Sequence, residues 1–285
     1  MHNQAVAGVI EALLIVAMIA MIIAIIQLQY IPQVMTQKEA EHMDQVFNQF
    51  SSLKSMIDLQ ATTQSSAPIS SMITLDSKGL PYFITAPSFG ELKVEENSQY
   101  KITMNPPPGS LPSGTVTLTS IEYNGDNSYF VDQSYILEGG GIIVQQPDGL
   151  PVMRADPSIL AVNGSSTITI HFDLPYVVAF AGKNIASGNG EGSKCFIRTN
   201  YSSNRTHIDS IPAGGYLRIY TNYLNAWNES LYNLFGIYAI HGYIHINEVS
   251  AQPTSYIEIT PGSKTINLQL NVINMYVQIG QGWVQ

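Results

Sequence analysis

The sequence predicts an α+β protein, a long N-terminal hydrophobic helix followed by an antiparallel β-sandwich head that carries one short helix. Three observations predict it. The first is that Ala5 to Ile26 contain only Ala, Val, Ile, Leu, Met and Gly8, with Glu11 the single exception. At ~1.5 Å per residue this stretch makes a helix of roughly 33 Å, enough to cross the ~30 Å hydrocarbon core of a bilayer. The second is that Met43, Val46, Phe50, Leu53 and Ile57 recur at spacings of three and four, which lays one apolar stripe along a polar helix. The third is that short runs after Met72 alternate apolar and polar residues between Gly- and Pro-rich breaks, the signature of strands.

Taken in order, the chain opens with Met1–Gln4, which contains no Lys or Arg. A secretory signal would show a basic start and a small-residue cleavage site after the apolar run, so the apolar segment is expected to be retained. Glu11 is its informative residue. A carboxylate inside an apolar helix costs about 2.5 to 3.5 kcal/mol in lipid on insertion scales. It either reaches the interface or pairs with a positive group from another chain, the N-terminal amine being the obvious one. Pro32 removes a backbone hydrogen bond and predicts a kink near residues 28–32. Residues 61–71 (ATTQSSAPISS) have no apolar period and read as a linker. The expected division is therefore a helix over 1–60, a linker over 61–71 and a head over 72–285 that folds without the helix.

The stretch AVAGVIEALLIVAMIAMIIAIIQLQYIPQVMTQKEAEHMDQVFNQFSSLKSMIDLQ resembles the N-terminal helix of archaeal type IV pilin-like proteins. Ala5-Val6 opens the run, Glu11 follows shortly and the amphipathic continuation is unbroken. Met1–Gln4 departs from the family in lacking a basic residue before the cut. The resemblance implies cleavage by a prepilin peptidase, residence in the membrane before assembly, and self-association into a helical filament through assembly machinery. It places the protein on the cell surface as an extracellular filament subunit serving adhesion. Glu11, Met43, Val46, Phe50, Leu53 and Ile57 are then the expected assembly residues, the stripe packing partly on the head and partly on neighbouring chains. The alternative is a single-span membrane-anchored surface protein whose β head binds a ligand or partner.

Composition narrows the classes. Charged residues make up only 12% of the chain, about half the usual ~25%. The net charge is −9 and the 12 Lys and Arg form no cluster, which argues against a nucleic-acid partner. The single cysteine, Cys195, forms no internal disulfide and reads as a small buried hydrophobe.

In the head, Leu80–Ile84, Tyr100–Met104, Thr115–Ile121, Tyr129–Leu137, Ile142–Gln145 and Ser166–Phe172 read as strands. So do Tyr176–Ala179, Phe196–Thr199, Tyr216–Tyr220, Tyr238–Ile246, Tyr256–Ile259 and Thr265–Ile279. Thr221–Phe235 breaks the pattern. Leu224, Trp227, Leu231, Leu234 and Phe235 fall at helical spacing, which predicts a short helix with Trp227 in the core. Four sequons, at Asn163, Asn200, Asn204 and Asn228, predict a glycoprotein, with Asn200 and Asn204 in a polar loop. Gly182–Lys194 lacks the order of a phosphate loop and reads as mobile surface. Asn124–Asn127 reads as a tight turn rather than a calcium loop. His241 and His245, four apart on an expected strand, would stand about 13 Å from one another, too far to share a metal. No nucleophile, zinc or paired-carboxylate motif is present, so no enzyme, metal or cofactor is expected.

Overall fold

The computed structural model describes residues 2–81, 85–96, 100–180, 184–250 and 255–280, apart from the side chains of residues 2–7. It begins with a helical rod. Helix α1 (His2–Ile25) passes through one π-helical turn, Ile26–Tyr30, into helix α2 (Ile31–Thr63). The π turn is the expected loosening. Pro32, in the first turn of α2, has no N–H and its ring crowds the carbonyl four residues back; the wider turn, in which Ile31 N–H donates to the Ile26 carbonyl, absorbs the misfit without a break.

Among the described residues sixteen strands follow, in three sheets. The first seven are β1 (Ile69–Thr74), β2 (Phe89–Glu95), β3 (Lys101–Asn105), β4 (Thr115–Thr117), β5 (Ser120–Asp126), β6 (Gln133–Glu138) and β7 (Gly141–Gln145). Then come β8 (Val152–Ala155), β9 (Ser158–Asn163), β10 (Thr167–Ala179), β11 (Ile185–Ser187), β12 (Lys194–Ile211) and β13 (Tyr216–Tyr220). After helix α3 (Leu224–Ile240) the chain ends with β14 (Ile244–Val249), β15 (Tyr256–Pro261) and β16 (Thr265–Ile279). The long sheet runs β1-β12-β16-β10-β9, the second β11-β2-β5-β6-β7-β8 and the third β14-β15-β13-β3-β4.

The long sheet organises the head. Strands β10 and β16 pair in parallel with unbroken register from Thr167 opposite Thr265 to Ala179 opposite Val277. A change from even to odd numbering along them is therefore a change of sheet face. On β16, Ile266, Leu268, Leu270 and Val272 enter one core, while Ile273, Met275, Val277 and Ile279 enter another. On β10 the switch falls between Leu174 and Val177. The head thus has two cores, on opposite faces and at opposite ends of one shared sheet. The first holds α3 and the third sheet; the second holds α2 and most of the inward side chains of the second sheet.

Several sequence expectations change here. The sheets are antiparallel except for the β10–β16 pair, and there are three of them rather than the two layers of a sandwich. The head helix has 17 residues, so it is not short, and it takes in Tyr238–Ile240, which were expected to be strand. Residues 61–71 are no linker, since α2 continues to Thr63 and β1 starts at Ile69. Thr115–Ile121 is divided between β4 and β5, and the Tyr129–Leu137 run starts its strand only at Gln133. Asn124–Asp126 is the end of β5, not a turn. Of the expected strand Leu80–Ile84, residues 82–84 lie outside the described residues, and Leu80 and Pro81 are not in a strand.

Candidate functional site: the N-terminal helix and its seat

The helical rod changes character at the π turn. Every residue from Gly8 to Ile25 is exposed, Glu11 included. Leu13 is 64% accessible and Leu28, within the turn, 77%. From Ile31, 2% exposed, one side of α2 is sunk in the head. By length and composition this helix is apolar enough to cross a membrane.

The stripe read from the sequence is the inner side of α2. Met43, Val46, Phe50, Leu53 and Ile57 are all buried and pack with Ile73, Leu92, Ile121, Tyr123, Tyr135, Leu137 and Met275 in the second core. Phe50 meets Tyr123 nearly edge-on at 6.4 Å and Tyr135 at 6.0 Å. Complete burial leaves these five no surface for another chain, which corrects their assignment to assembly. It also makes α2 one wall of the core of the head that was expected to fold without it.

Polar ties at both ends of α2 fix its position, and sequence reasoning missed all of them. Near the start, the fully buried Glu39 carboxylate accepts the backbone N–H groups of Ser128 (3.2 Å), Tyr129 (2.7 Å) and Phe130 (2.7 Å). Charge-assisted bonds of this kind are roughly twice as strong as neutral ones. Midway, the Gln49 amide donates to Thr74 Oγ1 and accepts the Thr74 N–H. His42 Nε2 lies 3.2 Å from the Thr74 carbonyl, and burial holds its imidazole below the ordinary pKa. At the end, the Gln60 amide donates to the carbonyls of Ala67 (2.8 Å) and Thr199 (2.9 Å) and accepts the Thr199 hydroxyl (2.7 Å). Gln64, with φ of 51°, caps the helix in the left-handed region and turns the chain back into β1. A polar residue on the inner side of an amphipathic helix, as at Glu39 and Gln60, was the available signal.

The sequons separate by accessibility. Asn163 is exposed at the end of β9, where its amide oxygen accepts a hydrogen bond from Lys264 Nζ at 2.5 Å. Asn200 and Asn204 lie in β12, not in a loop. Asn204 is exposed just past an irregularity in the register at Tyr201 and Ser203. Asn200 is half-buried with an enclosed amide oxygen, and Asn228 on α3 donates to Glu248 Oε2 at 2.9 Å. Asn163 and Asn204 are the two that present their side chains to solvent.

The remaining motifs are structural. Trp227 is fully buried in the first core. Cys195 is buried in the second, and its desolvation pushes the thiol pKa up. The Gly188–Ser193 turn, expected to be mobile, is tied to the buried Asp76 carboxylate, which accepts the Gly190 N–H at 2.8 Å and the Ser193 N–H and hydroxyl at 2.5 Å. His241 caps α3 and His245 lies in β14. Among the described residues no three His, Cys, Asp or Glu side chains group as metal ligands would. No protein-family model, curated protein or solved structure matches the chain.

Proposed function

We propose that this protein is a structural subunit of an archaeal type IV pilus-like surface filament, serving adhesion and having no catalytic role. The observation that carries the reading is the division of the N-terminal rod. Residues 31–63 belong to the head, whereas residues 8–30 stand clear of it with nearly every apolar side chain exposed. Taking a Val, Leu, Ile or Met side chain out of water is worth about 1.5–3 kcal/mol. A run of this length is therefore covered by lipid or by other copies of itself. In the proposed filament α1 makes the dry core, α2 carries the load into the head, and the heads form the sheath. The membrane holds α1 until assembly, after processing by a prepilin peptidase.

Glu11 gives the test. In a waterless bundle an unpaired carboxylate takes up a proton or finds a positive partner, and the N-terminal amine of a processed neighbouring chain supplies one. Breaking such a buried pair costs about 3 to 5 kcal/mol. Glu11→Ala is expected to leave the protein folded in the membrane and to abolish filaments in a sheared cell-surface fraction viewed by negative stain. Glu11→Asp is expected to be intermediate. Wild-type filament yield from Glu11→Ala cells rejects the pairing. Wild-type cells whose protein stays in the membrane without filaments identify a single-span anchor with a partner-binding head.

A further inference from the structure

The two cores meet at the tip of one hairpin. Strand β6 ends at Glu138, and Gly139 and Gly140, with φ of 59° and 85°, turn the chain into β7. The tip is wedged tightly. A Cβ on Gly139 would stand 2.8 Å from the Trp227 ring, and one on Gly140 3.2 Å from Pro175. Glu138 is 2% exposed, and its Oε1 accepts the indole N–H of Trp227 and the hydroxyl of Thr221, both at 2.8 Å. The carboxylate belongs to the second sheet, and both donors belong to the segment from β13 to α3 on the other side of the joint.

Among the described residues no cation pairs with it. Among the described residues the salt bridges are Lys54–Asp58, Lys93–Glu122 and Arg218–Glu258, none of which includes Glu138. Among the described residues the titratable groups near it are Glu122 on β5, which is bonded to Lys93 and to Ser120, and the Tyr223 phenol, while Lys54 and Asp58 line a small cavity beside Gly139 and Gly140 and pair with one another at 2.7 Å. Burial raises the Tyr223 phenol, so it stays neutral. An anion at Glu138 would thus face a second carboxylate and neutral dipoles while only 2% exposed.

We propose that the Glu138–Trp227–Thr221 contact is a proton-operated joint between the two cores: protonated Glu138 seals the hairpin tip onto α3, and ionised Glu138 loosens that seal and admits water or a cation. Burial pushes the carboxyl pKa up to about 7, while the two donors pull against the rise without cancelling it. The joint therefore changes state near neutrality, where a surface protein meets changes in external pH. The inference does not depend on whether the chain polymerises.

The full chain in detergent micelles tests it through the fluorescence of Trp227. Trp227 and Trp283 are the two tryptophans, so a Trp283→Phe background leaves Trp227 as the reporter. The expected result is a single transition with a midpoint near neutral pH, accompanied by at least tenfold faster hydrogen exchange across residues 136–142 on the alkaline side after correction for the intrinsic rate. Glu138→Gln should remove the transition and hold the slow exchange at every pH. Thr221→Val, which deletes one donor but keeps the acid, should move the midpoint upward. It serves as the independent test should Glu138→Gln fail to fold. A flat wild-type titration, a transition that survives Glu138→Gln, or an unmoved midpoint in Thr221→Val overturns the proposal.

Discussion

Residues 8–30 and residues 31–63 form one helical rod, yet they dispose of apolar surface in opposite ways. The first part is apolar on nearly every side and almost entirely exposed. The second gathers most of its apolar side chains into one buried stripe, with Leu59 an exposed exception, and adds buried polar anchors along the same side. Glu11 and Glu39 show the contrast in a single residue type. Glu39 has three backbone donors from the Ser128–Phe130 segment, whereas Glu11 stands exposed on an apolar helix. Burial of an acid with its donors supplied makes an internal fastening. An acid left unprovided in a greasy helix has no such fastening within its own chain. The difference teaches that one secondary-structure element can serve as core for its own domain and as the connector of that domain to something else, with the change made within a single π turn.

The sharpest way to break this comparison is truncation. A chain beginning near Gln29 is expected to be soluble and cooperatively folded, and one beginning at Met72 is expected to lose cooperative unfolding and precipitate. Circular dichroism melts and size exclusion separate the two, and a folded Met72 chain would show that α2 is dispensable. Next in size is Phe50→Ala, which empties a fully buried aromatic site and should cost about 3 to 5 kcal/mol in denaturant unfolding. Ile15→Ala, on the exposed half, should change head stability by less than about 0.5 kcal/mol.

Glu138 extends the comparison to acids buried without a cation. Its folded-state pKa is raised from 4.5 to about 7, so the proton is held more tightly by the folded chain. Its contribution is complete below the unfolded pKa and is lost as pH rises from about 4.5 to about 7, on the order of 3 kcal/mol in all. The stability difference between wild type and Glu138→Gln, followed from pH 4 to 8, should show that slope. Glu39→Gln should cost about 2 kcal/mol, since a neutral oxygen accepts the same N–H groups less strongly. Smallest is Lys54→Ala, which removes the partly exposed 2.7 Å pair with Asp58 one turn along α2; less than about 0.5 kcal/mol is expected.

Features with a short period were legible in the sequence. The apolar run shows in composition alone, and the α2 stripe and the amphipathic α3 in spacings of three and four. Even the two-faced sheet has a local sign, because apolar alternation on β16 changes phase at the adjacent pair Val272-Ile273. What stayed hidden depends on distant partners. Ile69–Ser71 read as polar linker, and they become part of strand β1 by pairing with residues of β12. Strands β2, β8, β9 and β11 also escaped; β9 and β11 lie at sheet edges with their burial weakly patterned. The donors of Glu39 lie about ninety residues further along the chain. A half-polar stripe cannot announce how much of it faces its own head and how much a neighbour's, so the expected division of the five residues between the two gives way to burial in the head alone.

The return of the chain at Gln64 has a mechanical consequence. Strand β1 runs back along α2, so Gln60 meets Ala67, Met56 meets Ser71 and Gln49 meets Thr74 in ladder order. From Glu39 to Gln60 the fastenings extend over ~30 Å of helix at ~1.5 Å per residue. A pull applied to α1 along the rod acts parallel to the seam, and every fastening takes strain at once. The same pull meets the β1–β12 ladder lengthwise, from Ile69 opposite Thr199 to Thr74 opposite Lys194. Tension on the rod therefore enters the head as shear, in which bonds must fail together, and not as peeling, in which they would fail one after another.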